Sequence, residues 1–142
     1  MKKNSFTMAV MVLLLIAAGT AEAAVPQLVG TWTGTGKAVS LEHGYYNLTY
    51  TVNITNQSGN LFRGSIKITT PVGAATQKFT GYIKADNLIY VNYRDSGGRM
   101  LTEALAFGKY IPPTATQPKP KYEGHWVNLE TQDTGTMSLV KK

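Results

Sequence analysis

Alternation of apolar and polar residues with a period of two is the dominant pattern in this chain of 142 residues. It is clearest from Tyr45 to Gln57, where one face is apolar and the other carries mainly asparagine and threonine. A strand with this pattern packs one face on a core and leaves the other in water. The apolar face of this strand comprises Tyr46, Leu48, Tyr50, Val52 and Ile54.

Further short segments of this kind follow at hairpin spacing, separated by turn-forming residues. The spacing of about eight short strands predicts an all-β fold, an antiparallel up-and-down β-barrel. The predicted strands are 28–37, 45–57, 61–69, 76–84, 88–93, 99–107, 122–129 and 135–140, with turns at 58–60, 71–75, 86–87, 95–98 and 132–134 and an exposed proline-rich loop at 112–121.

Four of these predicted strands have a distinctive composition. Leu88–Tyr93 is apolar on both faces, so we expect it to be buried on both. Arg99–Phe107 has a composition that suits a helix by propensity, but its hairpin context favours a strand. Gly64 and Gly81 each follow a phenylalanine by two positions within a strand, where they would allow tight coiling or the close packing of a bulky neighbour.

The first 23 residues have the pattern of a signal peptide. Lys2 and Lys3 precede the apolar run Met8–Ala18, and Ala21–Ala23 offers the small residues of a cleavage site. The run is shorter than the roughly 20 residues of a spanning helix, although an uncleaved anchor is the alternative. We therefore expect a single barrel domain at 24–142, located in the periplasm or outside the cell, with no membrane span after cleavage.

Composition narrows the functional classes. The chain has no cysteine, which excludes disulfides, thiolate zinc sites and a cysteine nucleophile. Its formal net charge of +6 is scattered along the chain rather than clustered, which predicts no specific nucleic-acid site. A basic surface could still attract an envelope partner or lipid head groups weakly. The polar second face of the clearest strand and the absence of a terminal aromatic residue disfavour an outer-membrane barrel.

Gly30-Thr31-Trp32, near the start of the first strand, resembles the Gly-x-Trp opening of the calycin-type barrels, the lipocalins and avidins. In those families the tryptophan plugs the closed end of the barrel, and a basic side chain from the last strand lies over its ring. The resemblance implies that Gly30, Trp32 and Lys141 (or Lys142) form such a structural plug here. A cation over an indole ring contributes roughly 0.5–1 kcal/mol when exposed.

Two internal strands extend the resemblance. Asn60–Gly64 and Phe79–Tyr82 are similar to the Phe-Thr-Gly strand of avidins. The chain departs from avidins in having only two tryptophans, Trp32 and Trp126, where avidins surround biotin with several. It also lacks the Thr-Asp-Tyr motif of lipocalins. The resemblance therefore implies the barrel fold and not a particular ligand.

Candidate catalytic groups are few. Glu123 and His125 share one face of a strand, where they could transfer a proton or help to hold a metal, but an exposed polar face is the simpler interpretation. Glu103 lies between Leu101 and Leu105 and would have a raised pKa if it were buried, although an outward position is favoured. We therefore predict no enzyme, no catalytic residue, no cofactor and no metal site.

Aromatic residues are the stronger functional signal. An aromatic pocket with hydroxyl groups suits a small apolar or aromatic ligand, and an eight-stranded barrel is just wide enough for one. We predict Tyr46, Tyr50, Tyr90 and Trp126 as ligand-binding residues of an exported, non-enzymatic barrel. The alternative is an envelope or extracellular interaction protein whose barrel is filled by side chains and whose contacts come from the 112–121 loop.

Overall fold

The computed structural model describes residues 24–94 and 99–142, and for residues 100–103 it describes the backbone alone. Within these ranges eight antiparallel strands each pair with the next, and the last pairs with the first to close a barrel. The predicted all-β, up-and-down β-barrel is confirmed. The strands are β1 (Gly30–Ser40), β2 (Gly44–Ser58), β3 (Leu61–Thr70), β4 (Gly73–Ile83), β5 (Leu88–Arg94), β6 (Met100–Ile111), β7 (Lys121–Asn128) and β8 (Asp133–Lys141).

The predicted strand boundaries shift mainly near the ends of the barrel. β1 begins at Gly30 rather than Leu28, and β8 begins at Asp133, which places the last turn at 129–132. The 99–107 segment belongs to strand β6, so the helical interpretation of its composition is wrong. Hydrogen bonding to strands on both sides outweighs a helix preference of a few tenths of a kcal/mol per residue. The turn predicted at 95–98 lies outside the described residues.

Alternation decides which side chains fill the barrel. Trp32 is opposite Val52 on β2, and Val52 is opposite Ile66 on β3, so inward positions align across the strands. The inward face predicted for 45–57 is confirmed, because its members are buried or pack against the core. The buried core contains Leu28, Trp32, Ala38, Leu48, Tyr50, Val52, Ile54, Phe62, Ile66, Phe79, Ile83, Ile89, Tyr93, Ala104, Ala106, Tyr110, Tyr122, Met137 and Leu139.

The expectation that 88–93 is buried on both faces is wrong. Ile89 and Tyr93 are buried, whereas Leu88 and Tyr90 are exposed. The reason is the architecture: a single closed sheet has an inside but no second layer packed on its outside.

Gly64 and Gly81 allow two phenylalanine rings to pack over the neighbouring strand. A Cβ added to Gly81 would lie 2.1 Å from the Phe62 ring, and one added to Gly64 would lie 2.9 Å from the Phe79 ring. The two rings meet edge to face with their centroids 6.1 Å apart. Of the two predicted roles, the packing of a bulky neighbour is therefore confirmed for both glycines.

Residues 1–23, predicted as a signal peptide, lie outside the described residues. Within 24–94 and 99–142, no helix has the length and apolar character needed to cross a membrane.

Candidate functional site

One end of the barrel is closed by the segment that precedes β1. Leu28 is buried, and its amide donates to Oε1 of Gln57 at 2.8 Å. The Gln57 amide group also donates to the carbonyl of Pro26 at 2.8 Å. Trp32, only 2% exposed, donates from Nε1 to the Leu28 carbonyl at 2.8 Å. These bonds satisfy the buried polar groups and fix the segment across this end of the barrel, the closed end.

The residues of the predicted plug lie together at the closed end. Lys141 is opposite Trp32 across the β1–β8 pair, and its Nζ lies 5.8 Å from the centroid of the Trp32 ring. The same Nζ donates to the Gln27 carbonyl at 3.0 Å. Gly30 has φ +131°, and a Cβ there would lie 3.1 Å from Cε of Lys141. Tyr110 meets the Trp32 ring edge to face at a centroid distance of 6.4 Å.

The opposite end contains a cup-shaped cavity of about 350 Å³. It opens where the β1–β2, β3–β4 and β7–β8 turns lie, since alternate turns of an up-and-down barrel fall at one end. We call this end the mouth and the cavity the cup. The residues that line the cup are Tyr46, Leu48, Tyr50, Ile68, Thr70, Val72, Gly73, Ala74, Ala75, Gln77, Tyr93, Ala104, Trp126, Val127, Asn128, Thr131, Asp133 and Met137.

Tyr50 and Trp126 form a hydrogen-bonded aromatic pair in the wall of the cup. Nε1 of Trp126 donates to the Tyr50 hydroxyl at 2.8 Å, and that hydroxyl donates to the carbonyl of Thr136 at 3.1 Å. Glycines make room for both rings: a Cβ on Gly36 would lie 2.9 Å from the Tyr50 ring, and one on Gly135 would lie 2.7 Å from the indole. The pair is therefore fixed by bonds and by shape before any ligand arrives.

Burial raises the pKa of several interior tyrosines. It raises the pKa of Tyr50 to about 12, although the hydrogen bond from Trp126 acts in the opposite direction. Burial also raises the pKa of Tyr93 and of Tyr122, and for Tyr93 the neighbouring Tyr122 adds to the effect. All three phenols are therefore neutral at physiological pH, and they can serve as hydrogen-bonding groups but not as bases.

Tyr93 and Met137 separate the cup from a second, smaller cavity. Both side chains line the cup, and both also line an apolar cavity of about 50 Å³ in the closed half of the barrel. The hydroxyl of Tyr122, whose side chain borders this inner cavity, is buried and has no hydrogen-bond partner among the described residues. The two side chains thus form the floor of the cup, and their size sets its depth.

Polar groups of the cup lie on two sides of its lining. Asn128 and Asp133 are opposite each other across the β7–β8 pair, and Gln77 lies on β4. Asp133 accepts a hydrogen bond from the Thr131 hydroxyl at 3.0 Å. Burial, followed by the nearby Asp133 charge, raises the pKa of Tyr46. Asp133 is the one charged side chain among the described residues that line the cup.

Three of the four predicted ligand-binding residues come together in the cup: Tyr46, Tyr50 and Trp126. Tyr90 does not, and its prediction as a pocket residue is wrong. It lies on the outer face with 47% of its surface exposed, because inward positions on β5 are odd-numbered and include Ile89 and Tyr93.

Tyr90 instead belongs to a row of side chains that crosses the outer wall. Register places them opposite one another on five consecutive strands, and we call them the lateral row. Its members are Leu61, Tyr82, Tyr90, Phe107 and His125.

The candidate catalytic groups that the structure describes lie on the outer surface of the barrel. Glu123 and His125 are both exposed. Glu123 accepts a hydrogen bond from the Ser138 hydroxyl at 2.7 Å, and the His125 ring lies 6.0 Å from that of Phe107. The exposed-face interpretation of this pair is confirmed. The Glu103 side chain is outside the described residues, and among those described no three potential ligands are grouped to hold a metal ion.

Sequence reasoning missed the floor and the polar part of the cup. Met137 stands two positions before the buried Leu139, so alternation alone could have placed it inside. Asn128 follows Trp126 at the same spacing. Asp133 falls in the predicted turn at 132–134, and only the earlier turn observed at 129–132 brings it onto β8 and opposite Asn128.

No family model and no curated protein matches the sequence. A similar solved structure is described as EF1p2_mFAP2b bound to DFHBI. It is 15% identical, the alignment covers 81% of this chain and 93% of that chain, and the TM-score is 0.48. DFHBI is the ligand of that protein, and a similarity of this degree assigns no ligand to the cup described above.

Proposed function

We propose that this protein is an exported, non-enzymatic barrel that binds a small apolar or aromatic molecule in the cup. The observation that carries the proposal is the contrast within one interior: side chains fill the closed half apart from a cavity of about 50 Å³, while the mouth half holds a cavity of about 350 Å³. Small-molecule sites typically occupy roughly 300–1,000 Å³ and are mostly apolar with a few polar groups. The cup meets both conditions.

The distribution of groups in the cup defines the ligand further. An aromatic or aliphatic body would contact Tyr46, Trp126 and Ile68, whose side chains offer apolar surface. A hydrogen-bond donor on the ligand would face the Asp133 carboxylate, and an acceptor would face the amide nitrogen of Asn128, whose oxygen accepts from the backbone of Glu130 and Thr131. A ligand of this size would lose most of its contact with water, which is the main source of affinity in such sites.

Binding can be tested with Nile red, a neutral fluorescent dye that reports an apolar environment. We expect saturable binding with quenching of Trp126, whose indole lines the cup. Ala75→Trp would fill the mouth and lower the affinity for the dye at least about tenfold, since lost apolar burial of this size exceeds 1.4 kcal/mol. Thr80→Trp adds the same side chain on β4 outside the cup and serves as the matched control.

The result that would contradict the proposal is binding that Ala75→Trp and Thr80→Trp leave equally unchanged, or no saturable binding at all. The proposed export has its own test. Amino-terminal sequencing of the mature protein should give Ala24 as the first residue, and an intact Met1 would contradict it.

An interaction protein is the second candidate, favoured by the order in the 112–120 loop at the closed end. The amides and carbonyls of Thr114 and Gln117 bond to each other in both directions, at 2.7 and 3.2 Å, and Gln117 Nε2 donates to the carbonyl of Lys119. A loop held in one shape suits recognition. Deleting 113–119 should abolish capture of an envelope partner without changing dye binding. If the deletion leaves capture unchanged, the result would contradict this second candidate and favour ligand binding in the cup.

A further inference from the structure

Apolar side chains at the mouth are unusually exposed. Leu41 in the β1–β2 turn is 82% exposed, Tyr45 at the start of β2 is 89% exposed, and Val72 in the β3–β4 turn is 86% exposed. Leu129 in the β7–β8 turn is 63% exposed. We call these four residues the mouth tips. Each of the three described turns at this end therefore presents an apolar residue to the surroundings.

The turns at the closed end are different. The β2–β3 turn consists of Gly59 and Asn60, and the β4–β5 turn is a single 3-10 turn, Ala85–Asn87, in which Asp86 and Asn87 have positive φ. Turn chemistry needs polar residues and glycine, and these turns have them. The mouth turns carry exposed apolar residues beyond that need, whereas the exposed apolar residues at the closed end, such as Leu61 (62%) and Val29 (44%), lie in β3 and in the segment before β1 rather than in the turns.

We propose that the mouth tips dock this end of the barrel onto a lipid surface, with the cup facing the membrane. The area of the tips argues against a stable protein partner. Four such side chains offer roughly 100 Å² each, together about half of the roughly 800 Å² that each partner contributes to a specific interface. A lipid surface adapts to separate protruding side chains, and the burial of each one contributes its own binding free energy. Tyrosine is favoured at the polar boundary of such a surface.

Charges near the mouth point to lipids with neutral head groups. Glu42 and His43 lie next to each other, with 3.7 Å between His43 Nε2 and a Glu42 carboxylate oxygen. Glu130 and Asp133 lie in or beside the β7–β8 turn, and Arg94 lies at the mouth end of β5. Arg99, just before β6, is a second cation at this end. Charges of both signs are thus present, so we expect docking that does not require anionic lipid and that added salt does not weaken.

Docking in this orientation would place the opening of the cup against the apolar phase. Val72 connects the two features, because it is both a mouth tip and a lining residue of the cup. A poorly soluble ligand could then enter without crossing water. This consequence rests on the proposed function, whereas docking itself does not. Docking can be measured without any ligand.

The absence of cysteine makes a site-specific label straightforward. The environment-sensitive dye NBD is attached to Leu129→Cys at the mouth or to Asn60→Cys at the closed end, each in the full chain. With vesicles of phosphatidylcholine, we expect NBD at position 129 to shift to the emission of an apolar environment while NBD at position 60 retains that of water. An aqueous signal at position 129 would overturn the proposal.

Paired variants test whether the apolar tips cause the docking. In the chain labelled at position 129, Leu41→Ser with Val72→Ser should reduce the fraction of protein bound to vesicles about tenfold. This is the effect expected when two aliphatic side chains are no longer partly removed from water. Tyr82→Ser with Tyr90→Ser, in the lateral row, is the matched control and should leave the fraction unchanged. Loss with the lateral pair and none with the mouth pair would overturn the proposal. Unchanged circular dichroism confirms that each variant is folded.

Docking and ligand binding can fail separately. If NBD at position 129 enters lipid but Nile red does not bind saturably, docking stands and the ligand proposal falls. If the dye binds in the cup but NBD at position 129 stays in water, the ligand proposal stands and docking falls.

Discussion

The two ends of the barrel are built from the same strands with the same alternation, yet one is filled and the other is open. At the closed end, Leu28 from the preceding segment and the large side chain of Trp32 occupy the interior. At the mouth, Ala38, Ala75 and Ala104 occupy inward positions. The difference shows that strand number sets the width of the interior, while side-chain size at each level decides whether it is filled.

The contrast extends to hydrogen bonding. At the closed end, polar groups are used to hold the chain: Gln57 and the Trp32 indole bind the backbone of the segment before β1. In the cup, Asn128 and Asp133 lie on the lining and bond locally, to Glu130 and Thr131 of the β7–β8 turn. The hydrogen bonds at the closed end therefore join a separate segment to the barrel, whereas those of Asn128 and Asp133 stay within one turn.

The largest expected effect comes from removing the plug. Trp32→Ala should lower the free energy of unfolding by about 3–5 kcal/mol, as large-to-small changes in a packed core do. Trp126→Ala, at the partly open mouth, should cost clearly less. Urea unfolding followed by circular dichroism measures both. Equal losses would show that the two ends contribute alike to stability and would contradict the difference between them.

A smaller effect is expected at the boundary between the halves. Met137→Ala should cost about 2–3 kcal/mol and join the cup to the inner cavity of about 50 Å³, so that a longer apolar dye binds. Leu139→Ala, on the same strand but away from the cup, should cost a similar amount without changing dye binding. Titration of each variant with dyes of increasing length measures the effect. No gain in the accepted length would contradict the assignment of Met137 to the floor.

The smallest effect concerns pH. Because burial raises the pKa of Tyr50 from 10 to about 12, the unfolded chain loses this proton at lower pH than the fold does. The stabilising contribution is complete below pH 10 and is lost as pH rises through about 12, with a loss at pH 10.5 of at most about 1 kcal/mol. Tyr50→Phe should show a shallower fall in stability over this range, by urea unfolding at a series of pH values.

Tyr45→Phe, at an exposed position, serves as the control for the pH experiment. A profile for Tyr50→Phe that follows the wild type throughout would show that the Tyr50 phenol is not protected in the fold. Tyr93 and Tyr122, whose pKa values are also raised by burial, would then account for the alkaline loss of stability.

The alternation of apolar and polar residues predicts the class of fold and much of the interior. Strict alternation in 45–57 assigns Tyr46 and Tyr50 to the inside, because a strand has only two faces and the polar one faces water. The residue types also predict the turn at Asp86–Asn87, since both residues tolerate positive φ. The Gly30–Trp32 opening and Lys141 fall together as their resemblance to calycin barrels implied.

The tertiary structure alone decided the rest. Leu88–Tyr93 has apolar residues at both odd and even positions, so alternation does not predict which face is buried. Pairing with the neighbouring strands places Tyr90 on the outside and Tyr93 on the inside. The depth of the cup depends on the level at which Met137 and Tyr93 lie along the barrel, and the plug depends on a segment outside every strand. Alternation predicts which face of the sheet a residue occupies, but not its height along the barrel axis. A cavity forms where the side chains at one height are too small to fill the interior, so its position cannot be predicted from alternation.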